Sequence, residues 1–419
     1  MCAGASRETE NSLRERNDMK RKCKYIDITN RAVISCAVQK CLSGERLYRH
    51  DTLRLFEKMG APMDVLKKMA KDRYRKGFAG MIETLIDCIR AEIIAGKIRF
   101  PPTKYITRRE GHKVRRIGIQ NIKMQLFDYV AVYGLSETLK RIGYYQCAAL
   151  PGKGQIFAKR AICRWLRSSK ARCAWKADAY HYYQRIDREK LKRLLKRHVK
   201  NSKLLDLTFL LIDAGESGLS IGSFLSQYLA NWLMSFAYHY AENAYKMRHS
   251  RRCGDKRTRF IKHICFYMDD LVFIGSSKSD LAMFARRFRT WIWEHLGVEL
   301  KEDDEFIELQ TGYIDMVGFL MSKKKVIARS HIFQKFRRDI LAARKTGVVT
   351  REVAQRIVSR YGWIKNAQSR RWIRRNKADL IVEIAKSVLK RHIDIDVKNE
   401  VWQEAKRRRK DGKNVVYAA

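Results

Sequence analysis

A chain of 419 residues is long enough for two or three domains, and its 46% hydrophobic share is ample for a buried core. Its 89 Lys and Arg against 44 Asp and Glu give a formal charge of +45, so the expected partner is a polyanion held through counterion release, with affinity falling steeply as salt rises. No membrane partner is expected, because the longest apolar stretch, Leu204 to Ile212, is broken by Asp206 and is too short for a bilayer.

The polar, charged start reads as no signal peptide, which points to the cytoplasm. The ten cysteines show no Cys-x-x-Cys spacing and read as free, mostly buried thiols. Residues 1–95 carry helical patterns, as in Met63 to Met69 and Phe78 to Ile94, without a catalytic constellation, and read as a helical N-terminal extension.

From 96 to 325 short strands alternate with helices, as in an α+β domain whose acidic strand ends meet over a sheet. Here lie the basic run Gly111-His112-Lys113-Val114-Arg115-Arg116-Ile117-Gly118-Ile119-Gln120 and the block Gln146-Cys147-Ala148-Ala149-Leu150-Pro151-Gly152-Lys153-Gly154-Gln155. An apolar strand from Cys173 then ends in Asp178, followed by the pair Tyr182-Tyr183. Gly218-Leu219-Ser220-Ile221-Gly222-Ser223-Phe224-Leu225-Ser226-Gln227 is a loop whose glycines are spaced for close backbone approach. It runs into a helix on which Leu225, Leu229, Trp232, Phe236 and Tyr240 recur at helical spacing, so one face of that helix should pack on the sheet.

Tyr267-Met268-Asp269-Asp270 sits between the apolar runs His263 to Phe266 and Leu271 to Gly275, which predicts a β-hairpin with two adjacent carboxylates at its turn. Such charges are tolerated beside cations. An Asp-Asp pair alone is most often a solvated turn; with Asp178 facing it from a neighbouring strand, it becomes the carboxylate cluster of a two-Mg2+ site, with the ions roughly 3.5–4 Å apart. In-line attack on a nucleotide phosphate is the reaction such a site supports.

Further on come Met316-Val317-Gly318-Phe319-Leu320 and Ser359-Arg360-Tyr361-Gly362-Trp363-Ile364-Lys365-Asn366-Ala367-Gln368-Ser369. Residues 326–395 are helical and strongly basic, and 396–419 read as a short helix with a frayed basic end. Basic clusters stand at Lys20 to Lys24, Lys190 to Lys200, Arg251 to Lys262, Arg370 to Lys377 and Lys406 to Lys413. Any one is most often a solvated face. Several, interleaved with Trp175, Tyr182, Trp363 and Trp372, argue for a groove that tracks a backbone and stacks bases.

At these blocks, over about residues 96 to 390, the chain resembles the reverse transcriptases of bacterial retroelements. The order is that family's: the basic strand, the glycine-bearing block, Asp178 with its aromatic pair, the glycine loop and Ser-Gln helix, Tyr-Met-Asp-Asp, then the hairpin and helix resembling its primer grip and thumb. The resemblance implies an α+β right-hand polymerase, with fingers and a ferredoxin-like palm over 96–325, a helical thumb over 326–395 and a basic tail over 396–419. It implies an RNA-directed DNA polymerase that works with a structured RNA template, a DNA primer or product, and an accessory RNA-binding protein.

By that resemblance Asp178 and Asp269 hold two Mg2+ ions, for which Mn2+ is an alternative, and Asp270 completes the cluster. Tyr183 occupies the steric-gate position that excludes a 2′-hydroxyl; its plainer reading is a strand aromatic in the core. Arg115 aligns with the cation that grips the incoming phosphates, and its plainer reading is a solvated strand charge. Ile221, Gly222 and Gln227 fall to the nucleotide site, and Tyr267, Gly318, Phe319 and Trp363 to primer and template.

The chain also departs from the family. Retroviral and group II intron enzymes place Gln before the second glycine of the loop, where this chain has Ile221, a pattern resembling diversity-generating retroelements and low fidelity opposite template adenine. Some antiphage reverse transcriptases share related forms. Acids stand near the end of the segment Leu296 to Glu305, where relatives place a proton-donating lysine, leaving Lys301 nearby. Three functions follow: a mutagenic retroelement polymerase, a phage-defence polymerase using a noncoding RNA or protein priming, and a non-catalytic RNA-binding scaffold. The three carboxylates weigh against the scaffold, since clustering them without metal costs stability.

Overall fold

The computed structural model describes residues 21–110, 113–251, 254–303, 305–391 and 395–396. Gly111, His112 and the tail from 397 onward lie outside the described residues. So do Lys20 and the cluster Lys406 to Lys413.

Among the described residues, four α-helices fall where the helical extension was expected: α1 (Arg31–Cys41), α2 (His50–Glu57), α3 (Met63–Lys71) and α4 (Ala79–Ala95). Asn30 caps α1 by accepting the Ala32 amide, and α4 stops at Gly96, whose φ of 64° is left-handed backbone that glycine adopts without strain. Then come β1 (Lys104–Glu110), β2 (Lys113–Ile119), α5 (Ile122–Gly134), α6 (Ser136–Leu139), β3 (Gln146–Cys147), α7 (Gln155–Leu166) and β4 (Cys173–Asp178). They are followed by α8 (Tyr182–Arg185), α9 (Arg188–His198), α10 (Ser202–Asp213), α11 (Phe224–Asn243), β5 (Tyr245–Ser250), β6 (Gly254–Arg259), β7 (His263–Tyr267) and β8 (Asp270–Gly275). The last third holds α12 (Lys278–Leu296), β9 (Glu305–Glu308), β10 (Ile314–Met316), β11 (Phe319–Met321), β12 (Val326–Ala328) and α13 (Ser330–Thr346). It closes with β13 (Val348–Val349), α14 (Arg351–Lys365), α15 (Arg370–Arg375), α16 (Ala378–Arg391) and β14 (Ile395–Asp396).

Contacts divide the chain into two units that cut across chain order. Unit 1 takes Met1–Leu150, Asp178–Ala244 and Phe284–Glu302; unit 2 takes Pro151–Ala177, Tyr245–Met283 and Asp303–Ala419. In unit 1, α11 packs on α5 and β3. The expected face packs, and burial extends beyond it, as in a core helix. Ser226, Asn231, Leu233, Met234 and Tyr238 are buried along with Leu225, Leu229 and Trp232, while Phe236 and Tyr240 are only partly covered. An apolar helix this long satisfies its backbone internally, so it can be enclosed on most sides without orphaned amides.

In unit 2 neighbouring strands run in the order β7-β8-β4-β9, with β7 antiparallel to β8 and β4 antiparallel to β9. Trp175 of β4 is fully buried and stacks on Phe273 of β8 with centroids 4.8 Å apart. Strands β10, β11 and β12 form an antiparallel meander. The helices from α13 onward enclose their own core around Phe336, Ile340, Ile357 and Val382. Buried Asp339 in that core is paired with Arg360 and, at 3.5 Å, with Arg356. Among the described residues no helix is long and apolar enough to cross a membrane, and the described cysteines are free thiols, most of them buried.

Candidate functional site

The hairpin expected at Tyr267 to Asp270 is present. Tyr267 ends β7 opposite Asp270, which opens β8, so Met268 and Asp269 form the two-residue turn. Met268 holds φ at 57°, a left-handed conformation unusual for a side-chain-bearing residue and suited to so short a turn. Both carboxylates and the Tyr267 ring are half-buried.

Arg172, just before β4, donates its amide to the Gly275 carbonyl at the end of β8, 3.0 Å away. With β4 and β8 adjacent, the two strands therefore run antiparallel, and Ala177 lies toward the end of the sheet that carries the β7–β8 turn. Asp178 follows Ala177 in the chain and belongs to unit 1. There its carbonyl accepts the Lys301 amide at 2.9 Å and its Oδ1 meets Lys301 Nζ at 2.8 Å. Among the described residues no three His, Cys, Asp or Glu side chains gather as a metal-holding group. The donors offered by Asp178, Asp269 and Asp270 are hard carboxylate oxygens, the type Mg2+ accepts.

The glycine loop is fixed from two sides within unit 1. Leu219 donates its amide to the Tyr183 carbonyl at 2.7 Å, and a Cβ at Gly218 would stand 2.2 Å from that same oxygen. On the other side Gly118 of β2 donates to the Ile221 carbonyl at 3.0 Å, and a Cβ at Gly222 would stand 2.6 Å from the Gly118 oxygen. Gly222 also holds φ at 112°. Backbone is the obstacle at both positions, so only glycine fits. Arg188 Nε reinforces the loop by donating to the Gly218 carbonyl at 2.8 Å.

The two tyrosines divide their roles. Tyr182 is buried and donates its hydroxyl to the Ala230 carbonyl of α11 at 2.7 Å; Tyr183 is half-exposed, its ring 5.8 Å from that of Tyr182. The Ile221 side chain is half-buried and Gly222 exposed. Gln227 lies in the first turn of α11, half-buried, with its carbonyl accepting Asn231 Nδ2 at 3.1 Å. Arg115 is exposed on β2 opposite Arg108, whereas its neighbour Arg116 pairs with Glu216 at 2.8 Å and lies over the Tyr105 ring.

In unit 2 the turn between β10 and β11 meets α14. Trp363 Nε1 donates to the Val317 carbonyl at 3.2 Å, and a Cβ at Gly318, whose φ is 86°, would lie 2.4 Å from that nitrogen. Phe319, expected to touch primer or template, is instead fully buried, since alternation along β11 turns it inward and the Val317–Gly318 turn before it is buried too.

Two of the four expected base-stacking aromatics are also corrected. Trp175 and Tyr182 are buried, while Trp363 and Trp372 pack on the helical core, Trp372 against Phe333 and Phe336. Sequence reasoning missed Asp128 of α5. It is fully buried and accepts the Ser223 hydroxyl at 2.7 Å and the Leu225 amide at 3.3 Å, anchoring the start of α11. Burial pushes its carboxyl up to about 6, against the pull of those hydrogen bonds. Its one visible signal is a lone acid in the apolar run Leu126 to Val132.

No protein-family model matches the chain, and no curated protein does either. Solved structures it is similar to include apo telomerase from Candida tropicalis, truncated of its C-terminal domain, at 15% identity and TM-score 0.38 over 54% of each chain. Another is telomerase from Candida albicans in complex with a TWJ fragment of telomeric RNA, at 10% identity and TM-score 0.39, covering 64% of this chain and 53% of that one. The chain thus spans about half the length of either structure.

Proposed function

We propose that the chain is an RNA-directed DNA polymerase of the bacterial retroelement type, with fingers, palm and thumb arranged as in a right-hand polymerase. The observation that carries the reading is the antiparallel pair β4 and β8, because it directs the strand leading into Asp178 toward the turn bearing Asp269 and Asp270. The reading requires those three carboxylates to converge. They would hold Mg2+ or Mn2+, which when bound activates the primer hydroxyl and neutralises the triphosphate.

The chain's own residues supply the rest. Half-exposed Tyr183, fixed through its carbonyl to the glycine loop, would lie under the sugar and exclude a 2′-hydroxyl. Arg115, exposed on β2, would grip the incoming phosphates. Gly222 and Gln227 would border the nascent pair, and the Gly318 turn with Trp363 would support the primer terminus. Lys301 holds its ammonium on Asp178, so cation binding there has to displace it.

Within this reading a diversity-generating retroelement and a phage-defence polymerase both accommodate Ile221, an apolar side chain half-exposed at the glycine loop where retroviral and group II intron enzymes use Gln, and the error spectrum separates them. The template would be a structured RNA, with an accessory RNA-binding protein as a further partner. Primer extension and filter binding on the same preparations test the reading. Asp178→Ala, Asp269→Ala and Asp270→Ala should each abolish extension while leaving RNA affinity within a few-fold, and wild-type extension by any of them overturns it. Sequencing the complementary DNA tests the finer reading: errors should concentrate opposite template adenines and fall with Ile221→Gln, while a uniform spectrum would favour phage defence.

A further inference from the structure

Unit 2 contains a groove of about 850 Å3 whose walls come from α7 and from the corner joining α14 to α15. Lys159, Arg160 and Arg164 project from α7, and Arg167 from its C-cap. Lys365, Arg370 and Arg371 project from the corner. Neither a carboxylate nor an aromatic ring lines it; the remaining polar groups are the Asn366 and Gln368 amides and the Cys163 thiol.

The walls are fixed to one another. Lys159 Nζ donates to the Asn366 carbonyl at 2.9 Å, and the Gln368 backbone N–H donates to the Val326 carbonyl of β12 at 2.8 Å. Arg160, Arg164 and Arg167 stand at i, i+4 and i+7, one face of α7, while buried Trp165 on another face stacks on His263 at 4.8 Å. Like charges at these steps repel along a helix, so the arrangement is favourable when an anion lies across them.

We propose that this groove binds the sugar-phosphate backbone of double-helical RNA. Cations without rings contact phosphates rather than stack bases, which suits a closed duplex over a splayed single strand. The three arginines rise by about 6 Å and 4.5 Å along the helix axis, so their charges form a row rather than a single point. The Gln368 amide is exposed among them and both donates and accepts, as recognition of a ribose 2′-hydroxyl requires. The site is independent of the polymerase reading, because it is tested by binding alone.

The test uses the full chain and an RNA hairpin, with a DNA hairpin of the same sequence in parallel. Arg160→Gln, Arg167→Gln and Arg371→Gln together should weaken RNA binding at least tenfold and make the salt slope shallower by about three, roughly one for each phosphate no longer neutralised. A control removing the same charge elsewhere in unit 2, Lys324→Gln with Arg344→Gln and Lys345→Gln, should change both less. Lysine acetylation of the wild-type chain, read by mass spectrometry, gives a measurement that needs no variant: bound RNA should protect Lys365 several-fold and leave Lys324 unchanged. Equal losses in the two variant sets, an effect confined to DNA, or absence of Lys365 protection overturns the proposal.

Discussion

The amide of Gly118 donates to the carbonyl of Ile221 across 3.0 Å, joining β2 to the glycine loop at the point where Gly222 passes the Gly118 oxygen. A methyl group at Gly222 would stand 2.6 Å from that oxygen, on a backbone held at φ 112°. Gly222→Ala should therefore lower stability by about 1–3 kcal/mol and reduce extension further than stability alone explains. Gly80→Ala in the first turn of α4, where nothing lies within 4 Å, should be neutral or stabilising. Thermal unfolding and primer extension on both variants check this.

The two adjacent tyrosines should separate cleanly. Tyr182→Phe removes the hydroxyl that reaches Ala230 and should cost about 0.5–1.5 kcal/mol without altering sugar selection. Tyr183→Val should instead lower discrimination against ribonucleotides with little change in melting temperature. Incorporation ratios for matched deoxy- and ribonucleotides decide it; equal effects on both substrates would make Tyr183 a packing residue.

At the meeting of the β10–β11 turn with α14, Gly318→Ala forces its new carbon against the Trp363 indole and should destabilise unit 2 more than Trp363→Phe, which removes one hydrogen bond to Val317 worth about 1 kcal/mol. Denaturant unfolding of the two variants ranks them. The opposite order would mean that the turn moves aside at little cost.

Asp128 gives a pH signature. Its folded value of about 6 stands above the ordinary 3.8, so between pH 4 and 6 the folded chain keeps a proton that the unfolded chain releases, and stability from this group falls as pH rises. The cost is fully present above pH 6 and amounts to about 3 kcal/mol, since each tenfold change in proton affinity is worth roughly 1.4 kcal/mol. Asp128→Asn keeps acceptors for Ser223 and Leu225 and brings a donor near Gln120, whose side chain lies against Asp128 and whose Oε1 is buried without a partner. The melting temperature of this variant relative to wild type should therefore rise from pH 4 to pH 7. A constant difference would show that Asp128 titrates normally.

Much of the local structure was legible because it depends on local chemistry. Apolar runs on either side of Asp269-Asp270 specify a hairpin, and Gly218 and Gly222 mark backbone approach that no other residue permits. What escaped depends on distant segments. Trp175 lies in Cys173-Ala174-Trp175, buried on successive positions, so both faces of β4 are covered and no ring is left for a base. The burial of Asp128 follows from the docking of Ser223, 95 residues away, and the two units draw on interleaved segments that no local periodicity reveals.

Ile221 enters the joint with β2 through its carbonyl, which every amino acid provides, while the positions flanking the joint admit glycine alone. The side chain at 221 is thus decoupled from the loop's architecture. A lineage could exchange it step by step, altering how the loop meets its ligand, without passing through an unfolded intermediate; the rigid glycines are what make that one position evolvable.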